Sequence, residues 1–497
     1  MSDFVPGPAE RVPEPRPAVD YSTVKSVHLM GIGGSAMGNF AGMLQSRGLE
    51  VRGSDAGVFD PMRANLEGWG IPFEEGYKAE NLAWKPDLVV VGNVISRDNP
   101  EAVAMRAANL PYTSFPEALG EWLLRERIPV VVTGTHGKTT TTSLIAWLLE
   151  ASGRSPGLLV GGVPTNLGRS FQAGTGDTFV IEGDEYDTAY YDKRPKFVHY
   201  HPHHTILTSV EFDHADIYPD FAAVSRAFRL LASLVHPDGL LCAWGGDPRV
   251  TDVLDACRAR VLRYGLSDDP GELDAVATLL ELGPDGAHFD LHLHGALVGR
   301  FHSPMAGRHN LRNATAALLI VLDLGVPVAA AAEALRTFKG IKKRQEIRGV
   351  VNGITVIDDY AHHPTAVQET IAAIRAAYPG QKLWALFEAE SNTSRRQIFE
   401  QRYPPAFAQA DEVVFCSPLR KAGDKLRDDQ LLNVSAMVEV IRQNGTPAHY
   451  LPDVADIVDL VASHARPGDV ILAMSGRNFR GLHGDLLARL EADNSAK

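Results

Sequence analysis

Cysteine is scarce. The 497 residues hold three, Cys242, Cys257 and Cys416, far apart and in no metal-ligand spacing. That argues against a disulfide scaffold or a cysteine-built zinc site and for a reduced, cytoplasmic setting. Positive charge is in deficit, with 48 Lys and Arg against 61 Asp and Glu, a net charge of −13. Such a chain offers no broad basic face to nucleic acid or to an anionic membrane, so an anionic ligand has to be held by local groups. No apolar run reaches the length of a membrane span, and no short period repeats, which excludes a solenoid. The first twenty residues carry five prolines and no apolar stretch fit for a signal peptide, and 1–22 read as a disordered or surface-wrapping tail. What is present is an ordinary globular composition, 45% hydrophobic and 22% charged, in a chain long enough for about three domains. Nothing in the pattern asks for more than a monomer or a weak homo-oligomer.

One further absence is local. The stretch "VVVTGTHGKTTTTSLIAWLLE" ends a strand and opens a helix, as a phosphate-binding loop does, yet Val132 stands where the general P-loop spacing needs its first glycine. The glycine arrives two residues late, leaving Gly134, Thr135, His136, Gly137, Lys138, Thr139 and Thr140. The context still favours phosphate: backbone N–H groups at a helix N-terminus, a point charge on Lys138, and a Thr139 hydroxyl within reach of Mg²⁺.

The expected fold is α/β in three domains. Residues 23–127 open with the strand "SVHLM" and the turn "GIGGSAMG", in which Gly31, Gly33 and Ala36 match a dinucleotide fingerprint and Asp55 lies near the distance of a ribose-binding acid. Any diphosphate gains from those glycines, so the fingerprint alone leaves an NAD-binding oxidoreductase or regulator open. Residues 128–348 carry the ATP loop and two strand ends rich in acids, "EGDEYD" and "EFDHAD". Ligands of open parallel sheets sit beyond the carboxyl ends of the strands, so Thr139, Glu182 and His214 are expected to share one Mg²⁺ and the phosphates of ATP. The run "HYHPHH" at 199–204 reads as polar residues around a strand start, since alternate side chains of a strand point to opposite faces. The basic turn "FKGIKKRQEIRG" places Arg344 near a phosphate or on a solvated patch. Residues 349–497 again alternate strand and helix.

Taken together, "GTHGKTTT", "EGDEYD", "EFDHADIY", "GRHNLRNATAA" and "DDYAHHPTA" resemble the Mur ligases, which add amino acids or peptides to UDP-linked muramic acid of the bacterial cell wall. The resemblance covers nearly all of the chain after the tail. It implies a Rossmann-like UDP-binding domain, a P-loop ATPase-like central domain and a Rossmann-like C-terminal domain. The short P-loop resembles the family's own ATP loop. "GIGGSAMG", with Gly31, Gly33, Gly34, Ser35 and Asp55, then looks like the UDP site. Lys138, Glu182, His214 and Arg344 are the implied catalytic groups. Asn310, Asp358 and His362 are the further groups implied at ATP.

Two members use UDP-N-acetylmuramate, one adding free L-alanine and the other reattaching the recycled tripeptide L-alanyl-γ-D-glutamyl-meso-diaminopimelate. "DEYDTAYYDKRPKFVHY", "EFDHADIY" and "ESNT" resemble the second, with the first kept as the alternative. Glu390, Ser391, Asn392 and Arg395 are the implied acceptor contacts. At Glu390 the family usually has an arginine suited to a diaminopimelate carboxylate, and "MSGRNFRGLHG" departs from the usual Asn-Gly-Gly form and brings Arg477 and Arg480. Either one of Arg395, Arg396, Arg477 and Arg480 replaces the lost arginine, or the pocket takes a third residue such as lysine.

Overall fold

A computed structural model describes residues 7–283, 285–420 and 426–495. Three sheets organise the chain. The first is five-stranded and parallel, in the order Phe73–Glu75, Glu50–Asp55, Ser26–Met30, Leu88–Val91, Tyr112–Ser114. Its strand Leu88–Val91 is apolar and buried at every position, as a strand covered on both faces must be.

The second sheet has ten strands, with Ile128–Thr133 between His204–Leu207 and Thr178–Gly183. Successive residues of Ile128–Thr133 serve two cores. Val130 and Val132 join Leu144, Leu148 and Leu318 beneath the helices Lys138–Ala151 and Arg308–Asp323. Val131 points the other way, to Phe228 and Leu231 of the helix Phe221–Leu234. This is the two-sided burial of a doubly wound sheet. It also accounts for the missing P-loop glycine: Val132 is still inside the strand, paired with Glu182 and fully buried. The sheet is extended by antiparallel strands Ala275–Gly283, Gly286–Leu293 and Ala296–Ser303, an addition that strand–helix alternation does not foretell.

The third sheet runs Glu346–Val351, Ile354–Asp359, Val470–Ser475, Leu383–Glu388, Glu412–Phe415, Ala448–Tyr450, and all but the first strand are parallel. It starts at Glu346, three residues before Gly349. Residues 7–22 lie along the body. Arg226 pairs with Glu10, the Glu14 N–H donates to the Tyr191 carbonyl at 2.9 Å, and Arg16 pairs with Glu117. Among the described residues no helix is long and apolar enough to cross a membrane.

Candidate functional site

The carboxyl ends of Ile128–Thr133, Thr178–Gly183 and His204–Leu207 open into a cavity of about 650 Å³ between the second and third sheets. Its floor is the turn from 134 to 137. Gly134 (φ +123°) and Gly137 (φ +80°) occupy backbone regions that L side chains rarely adopt. A Cβ on Gly134 would stand 2.2 Å from Thr208 Oγ1, and one on Gly137 2.7 Å from Asn313 Oδ1. The turn is stapled to the neighbouring strand end: Thr135 N–H donates to Ser209 O at 3.1 Å, His136 N–H to Ser209 Oγ at 3.0 Å, and Glu211 N–H to Thr135 Oγ1 at 2.8 Å.

Lys138, the first residue of the following helix, donates to Gly134 O at 2.6 Å and to both oxygens of Glu185 at 3.0 Å. Glu185 also receives His214 Nε2 at 3.0 Å. Burial works against the Lys138 ammonium, but Glu185 and Asp184 outweigh it and its pKa is raised. The same holds for His214, where the hydrogen bond to Glu185 overcomes burial. Glu185 is therefore the hub joining Lys138 to His214. In the sequence Glu185 is one of four acids at a strand end, too close together for spacing to single one out.

Glu182 lines the same cavity, where its carboxylate accepts from Gly161 N–H at 2.9 Å and stands near the Thr139 hydroxyl. Burial pushes its pKa up. Asp184 is held down to about 2, Lys196 at 2.5 Å prevailing over burial. A carboxylate beside a hydroxyl, in a roomy cavity with space for water, is a donor set that fits Mg²⁺. His214 turns its Nε2 to Glu185, which leaves Nδ1 as the ring nitrogen for a metal.

Asn310, Arg344 and His362 also line the cavity. Arg344 lies over the Tyr360 ring at 4.6 Å, and Asn310 is buried with its amide on Ala306 O at 2.8 Å. Trp244 and Tyr264 add an aromatic wall on which Arg312 stacks at 4.4 Å from the Trp244 ring, a feature with no motif to announce it.

Asp358 is a correction. It lies on the far side of its strand, with Arg348 Nη1 and His483 Nε2 each at 3.3 Å, and burial raises its pKa to about 6. Its neighbour Asp359 lines the cavity, accepting from Gln345 N–H at 2.8 Å and Ala361 N–H at 2.7 Å. Adjacent residues of a strand face opposite ways, so only one of the two acids reaches the cavity.

Arg395 is a second correction. It is 1% exposed, with its guanidinium on Leu419 O at 2.9 Å, and braces the loop instead of facing the cavity. Of the four acceptor residues, Ser391 and Asn392 line the cavity, and Glu390 lies one residue outside it. The third sheet is tied across the cavity by Asn392 Nδ2 to Asp216 at 3.2 Å, and by Thr365 Oγ1 at 2.8 Å and Arg402 Nη2 at 3.1 Å to Glu211. Thr365 and Arg402 carry no sequence signal of this role.

Gly31, Gly33, Gly34, Ser35 and Asp55 form a separate loop that does not line this cavity. Gly31 has φ +95°, and Asp55 accepts from Gly33 N–H at 2.8 Å, so the acid braces the turn over which a diphosphate would lie. Ser35 faces Ser170 at 3.3 Å, which sets the loop against the second sheet's domain. The histidines of 199–204 are taken up locally, His199 by Asp192 and His204 by Asp323, each at 3.0 Å.

Comparison with known proteins agrees along the chain. Residues 26–127 match the profile described as Mur ligase family, catalytic domain; 132–321 match the Mur ligase middle domain; 343–477 match the Mur ligase, glutamate ligase domain. The chain is 39% identical over 463 residues to the UDP-N-acetylmuramate–L-alanyl-γ-D-glutamyl-meso-2,6-diaminoheptandioate ligase of Escherichia coli K12, covering 93% of this chain and 97% of that one. It is 34% identical over 474 residues to the UDP-N-acetylmuramate–L-alanine ligase of Sorangium cellulosum, covering 94% and 97%. A crystal structure of a murein peptide ligase from Psychrobacter arcticus superposes with a TM-score of 0.66 at 33% identity, covering 94% of this chain and 99% of that one.

Proposed function

The chain belongs to the Mur ligase family and is an ATP-dependent ligase of three α/β domains, and from that premise we propose that it joins UDP-N-acetylmuramate to L-alanyl-γ-D-glutamyl-meso-diaminopimelate in peptidoglycan recycling. In this reading 23–127 hold the UDP-muramate, 128–348 hold ATP, and 349–497 hold the acceptor peptide. The observation that carries it is the Lys138–Glu185–His214 chain beside Glu182 and Thr139, in a cavity closed on its other side by Ser391 and Asn392. A phosphate site and an acceptor loop face one another across a single space.

The chemistry follows from the poor electrophilicity of a carboxylate. An oxygen of the muramate lactyl carboxylate attacks the γ-phosphorus of ATP, the bond to the bridging oxygen breaks, and ADP leaves. The acyl phosphate is then attacked at its carbonyl carbon by the free amine of the peptide's L-alanine. The tetrahedral intermediate expels phosphate, and the amine proton passes to a base or water. Lys138, drawn toward the phosphates from Glu185, neutralises charge on the transferring group, and Arg344 takes the terminal phosphate. Thr139, Glu182 and His214 would hold Mg²⁺, and the ion would supply charge neutralisation for the phosphoryl transfer. Closure of 349–497 over the cavity keeps water from the acyl phosphate.

The test is direct competition. Purified protein with ATP and UDP-N-acetylmuramate is offered equimolar tripeptide and free L-alanine, and the products are weighed by mass spectrometry. The tripeptide adduct is expected to dominate. A product carrying only L-alanine assigns the chain to the other branch and overturns the proposal.

A further inference from the structure

The third sheet carries a second arrangement of charge, beside the cavity. Leu383–Glu388 and Val470–Ser475 are adjacent parallel strands that end in register, Glu388 opposite Ser475. From the first strand the chain turns toward its neighbour Glu412–Phe415. From the second it turns the other way, into the helix Leu482–Ser495 against Glu346–Val351 and Ile354–Asp359. The gap between them is the topological switch point, where open α/β sheets bind ligands.

Two acid–arginine pairs fill it. Glu388, 2% exposed, accepts from Ser475 Oγ at 2.9 Å and from Arg480 Nε at 2.7 Å, and Arg480 also donates to Ser417 O at 2.7 Å. This inner pair is locked. The outer pair is Glu390 Oε1 and Arg477 Nε at 2.8 Å, with the carboxylate side chain 4% exposed and the arginine side chain 71% exposed. The loop is also strained: Phe479 (φ +46°) and Arg480 (φ +50°) both sit in the left-handed region. Non-glycine residues hold such conformations only where the surroundings impose them, and they gather at ligand sites.

We infer that Glu390 and Arg477 together bind an amino-acid end group, an ammonium and a carboxylate borne on one carbon, at the distal end of the acceptor's third residue. The inference rests on the acceptor reading above and extends it to a residue of the variable loop "MSGRNFRG". The physical reason is exchange of partners. A buried carboxylate keeps a cation at its side, because leaving it alone is costly. An arginine so exposed contributes little by staying and swings away freely. A ligand ammonium takes its place on Glu390, while the ligand carboxylate follows the guanidinium, which receives it in bidentate fashion. The Glu390–Arg477 pair becomes two pairs to ligand. A lysine end supplies the ammonium alone and leaves Arg477 with water. The arginine absent at 390 is thus replaced from 477, on the facing strand end, and the acid that stands at 390 becomes the contact for the ammonium.

The experiment measures kcat/KM for two tripeptides, L-alanyl-γ-D-glutamyl-meso-diaminopimelate and L-alanyl-γ-D-glutamyl-L-lysine, in wild type, Arg477→Gln and Glu390→Gln. Wild type is expected to favour diaminopimelate. Arg477→Gln is expected to lower the diaminopimelate-to-lysine ratio about tenfold, the usual order for loss of one charged contact to ligand. Glu390→Gln is expected to lower kcat/KM for both. Wild-type preference for lysine, or a ratio unmoved by Arg477→Gln while both peptides are ligated, overturns the inference and leaves the ligase reading standing. Failure of wild type to ligate either tripeptide overturns both.

Discussion

Lys138 and Glu185 separate function from stability at the level of single side chains. Lys138→Ala is expected to abolish ligation, a loss of at least ~10²-fold, while UDP-N-acetylmuramate binding, measured by calorimetry, keeps its wild-type Kd, because the loop from Gly31 to Ser35 proposed to hold it lies outside the cavity that contains Lys138. The same change strips a cation from the buried Glu185 carboxylate, which His214 alone then faces, so stability falls as well. Adding Glu185→Gln should restore much of the lost unfolding midpoint without restoring activity. Recovery of ligation in the double variant would show that Lys138 serves structure only. Asp358 gives a pH signature. Its folded-state pKa, about 6, stands above the ordinary 3.8. The folded protein therefore holds the proton longer, and this residue's contribution to stability is full below pH ~4 and lost as pH rises through ~6. In urea titrations without nucleotide, Asp358→Asn should gain on wild type between pH 4.5 and 7. A constant difference across that range would mean that Asp358 titrates normally.

Elements differ in how much of them can be read from the chain. The strand, glycine turn and helix of 128–151 were legible because glycine, lysine and threonine at fixed spacing have few other uses before a helix. The turn's shortened form was equally readable, though the reason, Val132 buried inside the strand, is a packing fact. Gly137 shows what the element depends on. Gly137→Ala forces an L side chain to φ +80° and sets its Cβ 2.7 Å from Asn313. The left-handed conformation alone costs about 1–2 kcal/mol, so a lowered unfolding midpoint and a higher KM for ATP are expected. Wild-type values for both would contradict the cradle geometry. The strand ending in Asp358 and Asp359 shows the limit of motif reading. A motif names both acids, and only the pleat decides which one faces the cavity. Arg395 fails for a related reason, since a residue type suited to a carboxylate is equally suited to bracing a loop, and burial chooses between the two.

Across the whole molecule, the three sheets were foreshadowed by alternating strand and helix patterns, whereas the hairpin extension of the central sheet and the contacts between domains were not. The ties of Thr365 and Arg402 to Glu211 join residues roughly 150 to 190 positions apart, and no local pattern encodes such a meeting. Arg402→Ala should weaken closure. The expected result is an increase in ATP hydrolysis uncoupled from amide formation, read as phosphate released per product, and a ratio that stays at wild type would deny this tie a part in closure.

The proposed ligation proceeds through an acyl phosphate formed on UDP-N-acetylmuramate and captured by the tripeptide amine. The most direct measurement supplies UDP-N-acetylmuramate labelled with ¹⁸O in its lactyl carboxylate, together with ATP and L-alanyl-γ-D-glutamyl-meso-diaminopimelate, and weighs both products. One ¹⁸O should appear in the inorganic phosphate for every UDP-muramoyl tripeptide formed. Unlabelled phosphate, or the absence of the tripeptide adduct, would contradict the account.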